Sequence, residues 1–218
     1  MEAQFWHDRW QQNQIGFHQD EVNLHLRNFL PQLELEPNAL VFVPLCGKSR
    51  DLDWLVRQGY RVLGVELSPI AVQAFFAETE RVAEVDRLRD FERMHGDGVT
   101  ILCGDYFDLV ADDVRDVAAV YDRASLIALP PLMRKEYVAQ LAKILPPGTP
   151  GVLITMDYPA DTMQGPPFAV SDAEIHALYA GEFDLELLAD EDVLGASPRF
   201  RERGLSELRE RVYRFQRR

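Results

Sequence analysis

Residues 40–55 read "LVFVPLCGKSRDLDWL", a short apolar run that breaks into a loop and then a charged stretch with helical spacing. Similar apolar runs follow: "RVLGVE" (61–66), "VTILC" (99–103), "VAAVYD" (117–122) and "GVLITM" (151–156). Short apolar runs that alternate with helical stretches are typical of parallel strands buried on both faces. The pattern therefore predicts a doubly wound α/β sheet with right-handed crossovers.

Helix signals fill the intervals between these runs. The segment "RDLDWLVRQ" (50–58) stops at Gly59, and Ser68 followed by Pro69 is a predicted helix start. A third helix is predicted over "PLMRKEYVAQLAKIL" (131–145). Residues 79–98 are highly charged, with apolar residues at helical spacing, so they are either a helix extension or a surface insertion; the apolar residues are Val82, Val85, Leu88 and Phe91.

The two ends of the chain differ from this core pattern. Residues 1–38 predict a helical lid, with short helices in "FWHDRW" and in "EVNLHLRNFL", the second closed by Pro31. Near the other end, Ser171 and Glu174 have the spacing of a capping box, and "FDLELLAD" and "RERVYRFQ" alternate like a terminal strand pair. We expect one domain, with residues 39–218 as its core.

Net charge, cysteine count and histidine spacing argue against several classes of partner and site. The formal net charge is -13 without any Lys/Arg-rich block, which argues against nucleic acid. The two cysteines, Cys46 and Cys103, lie far apart, as expected of free thiols in the cytoplasm. No apolar run approaches the ~20 residues that span a bilayer, and the five histidines lack metal-ligand spacing, so neither a membrane span, nor export, nor a metal site is predicted.

The loop after the first apolar run resembles the end of a phosphate-binding loop, because it contains Gly47-Lys48-Ser49. A phosphate-binding loop also needs a glycine five residues before Gly47, and that position is Phe42, inside the predicted strand. The chain also lacks the G-x-G-x-x-G dinucleotide fingerprint. A nucleoside triphosphate and a dinucleotide are both disfavoured.

Acidic residues at the next strand ends favour a smaller adenosine ligand. Glu66 ends the second run, where nucleoside-binding α/β folds place a carboxylate that accepts ribose hydroxyls. Asp105 and Tyr106 follow the third run and offer an acceptor for an adenine amino group beside a ring that can cover the base. Either acid alone can be structural, but together they predict S-adenosylmethionine, which carries adenosine without phosphate.

Several motifs together resemble the thiopurine S-methyltransferase family in its bacterial form: "FWHDRW…GFHQ", "VPLCGKSRDLDWL", "GVELSPIAVQAFF", "YDRASLIALP" and "GPPF". The resemblance covers nearly the whole chain. It implies a class I S-adenosylmethionine-dependent methyltransferase fold, Rossmann-like, with a seven-stranded, mostly parallel sheet.

The resemblance also implies site residues. The implied cofactor contacts, with the loop glycine included, are Trp10, Leu45, Gly47, Glu66, Asp105, Tyr106 and Arg123. Phe17 is the implied acceptor-pocket residue and Arg199 the implied substrate-side arginine, although Arg201 and Arg203 in the same segment are alternatives.

Chemistry adds roles to these residues. Aromatic and heterocyclic thiols ionise readily, so the reaction needs positioning more than a strong base. An arginine stays charged and can stabilise an anionic sulfur, which favours Arg123 and Arg199 as catalytic residues. Asp122 either fixes the Arg123 guanidinium or relays a proton through water; a plain Asp122–Arg123 ion pair is the alternative. Trp6, Trp10 and Phe17 are expected to form an aromatic lid, with ordinary core packing as the alternative for the tryptophans.

The expected partner is a small aromatic or heterocyclic thiol, and nothing in the sequence demands more than a monomer. Two rival hypotheses stay open. One is an enzyme with the same cofactor that methylates selenium or tellurium species, a halide or sulfide; the other is a cofactor-binding protein without turnover.

Overall fold

The structure is a computed structural model that describes residues 3–218, and the chain forms two compact units. The first unit ends at Tyr121 and the second comprises Asp122–Arg218. The prediction of one domain with a boundary after residue 38 stays a prediction.

The strands of the first unit confirm the four predicted runs that lie in it. They are β1 (Leu40–Val43), β2 (Arg61–Glu66), β3 (Glu84–Leu88), β4 (Phe91–Gly96), β5 (Val99–Cys103) and β6 (Val117–Arg123), which continues past the unit boundary. Their order is β3-β4-β5-β2-β1-β6. The strands β5, β2, β1 and β6 pair in parallel, so their carboxyl ends lie at one edge of the sheet. Consecutive residues Val41 and Phe42 are both fully buried, as expected of a sheet covered on both faces.

The helices of this unit are α1 (Ala3–Gln11), α2 (Leu24–Phe29), α3 (Arg50–Arg57), α4 (Pro69–Glu78) and α5 (Ala111–Val114). Pro31 does not simply close the second helix, because it lies inside a short 3-10 helix, Leu30–Leu33, that continues it. Ser68 is the N-cap residue of α4 as predicted, but its side chain makes no capping hydrogen bond.

Of the two alternatives predicted for residues 79–98, the helix extension is wrong. These residues contain the antiparallel hairpin β3–β4, in which Leu88 pairs with Phe91 across a two-residue turn. Of the four apolar positions at helical spacing, only Phe91 is buried, whereas Val82 and Val85 are 85% and 57% exposed. The alternative of a surface insertion agrees with this exposure. The hairpin also explains why residues 3–218 contain nine strands rather than the seven expected.

The second unit contains α6 (Ser125–Ala128), α7 (Pro131–Ile144), β7 (Pro150–Asp157), α8 (Asp172–Tyr179), β8 (Phe183–Asp192), α9 (Pro198–Glu202) and β9 (Arg209–Arg217). Its strand order is β7-β9-β8, and both pairings are antiparallel, which confirms the predicted terminal strand pair. Ser171 caps α8 by accepting a hydrogen bond from the Glu174 amide. The Glu174 side chain does not complete the capping box but binds Arg134 at 2.7 Å.

Within residues 3–218, no helix has the length and apolarity needed to cross a membrane. Nor does this part of the chain bring three or more His, Cys, Asp or Glu side chains into an arrangement able to hold a metal ion.

Candidate active site

The loop after β1 has an unusual backbone conformation. Leu45 and Gly47 both have left-handed φ values, 47° and 55°. This region disfavours a residue with a side chain by about 1–2 kcal/mol, so Leu45 is held there by its surroundings. One such restraint is the hydrogen bond from the Cys46 amide to the Val65 carbonyl oxygen, at 3.0 Å. The Cys46 sulfur also lies so close to Gly64 that an added Cβ there would be 2.7 Å from it, which explains a glycine within β2.

Glu66, at the carboxyl end of β2, places a buried carboxylate beside the loop that follows β1. Its side chain is 7% exposed, and its two oxygens accept hydrogen bonds from the Gly47 amide at 2.9 Å and the Ser68 amide at 2.8 Å. Burial raises the pKa of Glu66, and the backbone donors partly oppose that rise. A carboxylate has about four acceptor positions, so two remain for donors from a ligand. The predicted position of an acid at this strand end is confirmed, and its binding role stays a prediction.

The three residues that resemble a phosphate loop all have partners within the first unit. The Gly47 amide donates to Glu66, the Lys48 ammonium pairs with Glu78 at 2.5 Å, and the Ser49 hydroxyl accepts from the Asp51 amide to cap α3. A phosphate here would lose the Gly47 donor and face the buried carboxylate of Glu66. The geometry therefore supports the rejection of a nucleoside triphosphate.

Aromatic side chains from the N-terminal segment lie beside this loop. Trp10 of α1 is buried, and a Cβ added to Gly47 would be 3.4 Å from its Cζ2 atom. Phe17 packs edge-to-face on both Trp6 and Trp10, with ring centroids 5.8 Å and 5.6 Å apart, yet remains 38% exposed. The structure thus brings Trp6, Trp10 and Phe17 into one aromatic cluster.

The end of β5 adds the predicted Asp105 and Tyr106. The Gly104 amide donates to the Glu66 carbonyl oxygen at 2.9 Å, so this loop lies next to the end of β2. Asp105 is exposed and accepts from the Phe107 amide at 2.9 Å, whereas Tyr106 is buried. One carboxylate oxygen of Asp105 thus accepts a local hydrogen bond, and the other accepts none within residues 3–218.

Phe91 packs against the loop after β5, a role that the sequence analysis did not predict. A Cβ added to Gly104 would lie 2.6 Å from Cδ1 of Phe91, so the first residue of β4 packs directly beneath the loop. The signal was present in the sequence, since Phe91 is the largest apolar residue in a charged stretch, but its helical spacing favoured another interpretation.

Neither cysteine is suited to act as a nucleophile. Burial raises the pKa of Cys46 well above its usual value, and the nearby Glu66 charge raises it further. Burial also raises the pKa of Cys103, to about 11, again with Glu66 as the next cause. Both side chains are therefore protonated thiols at neutral pH.

In the second unit, Asp122 is completely buried near the end of β6. It accepts a hydrogen bond from the Tyr137 hydroxyl at 2.7 Å, and burial raises its pKa to about 6. No pattern in the sequence indicates Tyr137 of α7 as the partner of Asp122. Arg123 follows Asp122 and is half-buried.

The two arginines within α9, Arg199 and Arg201, and Arg203 at its C-terminal end have different surroundings. Arg199 is exposed and lies over the Phe200 ring, with its Cζ atom 4.7 Å from the centroid. Arg203 places Nη1 3.9 Å from the Met163 sulfur, within the 157–168 segment, and Arg201 is exposed. The choice of Arg199 as the substrate-side residue stays a prediction.

Comparison with solved structures confirms the class I methyltransferase fold. An S-adenosylmethionine-dependent methyltransferase from Anabaena variabilis has a TM-score of 0.64 at 13% identity, and the match covers 99% of this chain and 95% of that one. Phosphoethanolamine N-methyltransferase 2 from Haemonchus contortus, in complex with S-adenosyl-L-methionine, has a TM-score of 0.63 at 10% identity; the match covers 88% of this chain and 51% of that one.

Comparison of sequences is more specific. The family model for thiopurine S-methyltransferase matches residues 1–218. The thiopurine S-methyltransferase of Nitrosospira multiformis is 51% identical over 213 residues, which cover 98% of this chain and 97% of the relative. That of Pseudomonas aeruginosa is 50% identical over 217 residues and covers 100% of both chains. Because the family model matches the chain from end to end and relatives of that family are about 50% identical to it, this chain belongs to the thiopurine S-methyltransferase family.

Proposed function

We propose that this protein transfers a methyl group from S-adenosyl-L-methionine to the sulfur of aromatic or heterocyclic thiols such as thiopurines. Family membership makes it an S-adenosylmethionine-dependent S-methyltransferase, and the thiol class is the further step. The observation that carries the cofactor assignment is the buried Glu66 carboxylate, fixed by two backbone amides at the carboxyl edge of the sheet.

The residues of the first unit fit this cofactor. Glu66 has acceptor positions left for two ribose hydroxyls, and Asp105 and Tyr106 follow the neighbouring strand, where the adenine would be held. Gly47 has no side chain that would fill the space beside the Trp10 ring, and Leu45 completes the loop. When bound, S-adenosylmethionine supplies an electrophilic methyl group on a positively charged sulfur.

Aromatic rings recognise such a ligand in two ways. The indole face of Trp10 attracts a cation, and Trp6 and Phe17 offer flat apolar surface to an aromatic thiol. Phe17 suits the acceptor role because it stays partly exposed while resting on both tryptophans.

The acceptor chemistry needs a stabilised thiolate rather than a strong base. We assign this charge stabilisation to Arg123 and Arg199, since a guanidinium is cationic at any physiological pH. Asp122 is bonded to Tyr137 and is fully buried, so its proposed role is to hold the strand end that precedes Arg123. With both cysteines protonated, no covalent intermediate on this protein's own sulfur is proposed.

A substrate panel tests the proposal. Purified protein with S-adenosylmethionine is incubated with 6-mercaptopurine, thiophenols, a reduced selenium species, iodide and sulfide, and methylated products are measured by mass spectrometry. We expect methyl thioethers from the aromatic thiols, with one S-adenosylhomocysteine formed per product. Turnover of the selenium species or the inorganic anions alone would replace the thiol assignment, and cofactor binding without any product would favour a binding protein.

Variants separate cofactor binding from thiol turnover. Arg123→Ala is expected to lower thiol turnover by a much larger factor than it raises the calorimetric Kd for S-adenosylhomocysteine. Lys135→Ala, an exposed cation in the same unit, serves as the control and should change neither quantity.

A further inference from the structure

Arg134 of α7 is one of the largest side chains that are fully buried, with 1% of its surface exposed. Its Nε atom donates to the carbonyl oxygen of Leu126 within α6, at 3.0 Å, and to that of Leu129 just after α6, at 2.8 Å. Its Nη1 atom donates to Glu174 of α8 at 2.7 Å. The guanidinium thus links the end of α6 to the start of α8.

The same guanidinium contacts the segment that connects β7 to α8. We call residues 157–168, "DYPADTMQGPPF", the connecting loop. The Cζ atom of Arg134 lies 5.8 Å from the centroid of the Phe168 ring, and the Phe168 amide donates to the Ile127 carbonyl oxygen at 2.7 Å. The end of the connecting loop is therefore hydrogen-bonded to α6, the helix whose Leu126 carbonyl oxygen Arg134 also binds.

Two more contacts define the shape of this end of the loop. The Tyr158 hydroxyl donates to the Pro167 carbonyl oxygen at 2.5 Å, which joins the start of the loop to its end. A Cβ added to Gly165 would lie 2.4 Å from Cδ1 of Phe168, so the ring packs on the loop backbone itself. Arg134, Met163, Gln164 and Phe168 line one cleft of about 460 Å³ within the second unit.

Stability alone is a poor reason for an arginine at this place. Burying an ion pair costs desolvation energy that its attraction often fails to recover, so apolar residues of similar volume commonly serve a core at least as well. What a guanidinium can do, and an apolar side chain cannot, is bind several groups in fixed directions at once. Here it binds two carbonyl oxygens, one carboxylate and one ring.

We propose that Arg134 is a positioning residue for acceptor binding, which fixes the connecting loop through Phe168, the α6–α7 turn and Glu174. This inference rests on the proposed function and adds to it that the connecting loop, whose Met163 sulfur lies 3.9 Å from Nη1 of Arg203, forms a wall for the thiol acceptor. Arg134 is not a catalytic residue in this scheme, since it acts through the loop.

The test compares Arg134→Lys with Lys135→Met, which removes an exposed cation from the next position of α7. Lysine keeps the charge but cannot bind three elements in fixed directions. We expect Arg134→Lys to raise the KM for 6-mercaptopurine about tenfold, because small displacements of positioning groups have effects of this size. The Kd for S-adenosylhomocysteine should stay within about twofold of the wild-type value, and Lys135→Met should behave as wild type.

Hydrogen exchange gives a readout that does not depend on turnover. The Phe168 amide should exchange faster in Arg134→Lys than in the wild type, while amides of β1 and β2 keep their protection. A general loss of stability would instead accelerate exchange throughout the chain, and a lower active fraction would reduce kcat without raising KM.

A second pair of variants covers the case in which Arg134→Lys does not fold. Glu174→Gln keeps the side chain's shape and weakens the ion pair, and Phe168→Leu removes the ring; each should raise KM, and the double variant should raise it by less than the product of the two factors. Unchanged KM and unchanged exchange of the amide at position 168 in these variants would overturn the inference. A wild-type protein that ignores every thiol would instead overturn the proposed function, so the two failures are distinct.

Discussion

Replacing Glu66 by Gln removes one charge and one acceptor oxygen from the loop after β1 while keeping the side chain's shape. The carboxylate accepts from the Gly47 and Ser68 amides and has acceptor positions for two ribose hydroxyls. In Glu66→Gln the carboxamide NH₂ must face one of these amides, and the remaining oxygen is neutral. Losing charge-assisted bonds of this kind costs about 2 to 3 kcal/mol, or roughly 30- to 150-fold in the Kd for S-adenosylhomocysteine.

Folding stability should change far less than affinity. Burial raises the pKa of Glu66, which means that the charged carboxylate itself costs folding free energy. Glutamine removes that cost but leaves one amide without its acceptor. Because the two effects oppose each other, we expect a net change within about 1 kcal/mol, or 2–4 °C in the melting temperature of the ligand-free protein.

The assay is titration calorimetry with S-adenosylhomocysteine, accompanied by thermal unfolding of each variant. Glu84→Gln is the matched control, because Glu84 is exposed on β3 and undergoes the same chemical change. An unchanged Kd in folded Glu66→Gln, or an equal loss in the control, would refute the assigned ribose contact. Wild-type affinity should also fall as pH is lowered toward the raised pKa of Glu66, and Glu66→Gln should lack that component.

Three further predictions concern separate parts of the molecule. Gly47→Ala should weaken cofactor binding and lower the melting temperature by about 2–4 °C, because φ is +55° and the new methyl would touch Trp10. The raised pKa of Asp122, about 6 against an ordinary 3.8, means that folding stability is lost as pH rises from about 4 through about 6; Asp122→Asn should remove roughly 2 kcal/mol of that fall in denaturant unfolding between pH 4 and 7.5. Iodoacetamide at pH 8 should alkylate Cys46 and Cys103 far more slowly in the folded than in the urea-unfolded chain, as measured by intact mass; rapid labelling of the folded chain would contradict their raised pKa values.

Strands of the parallel core could be predicted because their burial on both faces leaves continuous apolar runs. The limits of β2 and β5 match the predicted residues 61–66 and 99–103. The hairpin β3–β4 could not be found by the same rule, since β3 is almost wholly exposed and its turn contains Arg89 in a left-handed conformation without a glycine. One signal was available: Asp97-Gly98, both with positive φ, is the kind of two-residue turn that joins antiparallel strands.

Site residues that follow from a local sequence pattern could be predicted, and site contacts between residues far apart in sequence could not. Glu66 and Asp105 could be placed at strand ends because the sheet topology sets which loops meet. Their partners could not, since a hydrogen bond between residues far apart in sequence leaves no local pattern. Asp51 illustrates this: it resembles an ordinary first-turn acid of α3, yet it is buried and accepts from the Tyr121 hydroxyl at 2.9 Å and the Asn23 amide at 2.8 Å.

The same limit explains how Gly47-Lys48-Ser49 can resemble a phosphate loop in sequence and differ from one in structure. In a phosphate loop the backbone amides face an anionic ligand, whereas here the Gly47 amide faces the protein's own carboxylate at 2.9 Å. A phosphate placed beside that carboxylate would be repelled by about 4 kcal/mol at 4 Å for an effective dielectric constant near 20. Hydroxyl groups meet the opposite situation, since they donate to the carboxylate and gain from its charge. In the proposed function, the identity of residue 66, nineteen positions beyond the glycine, is therefore what favours a sugar over a phosphate at this loop.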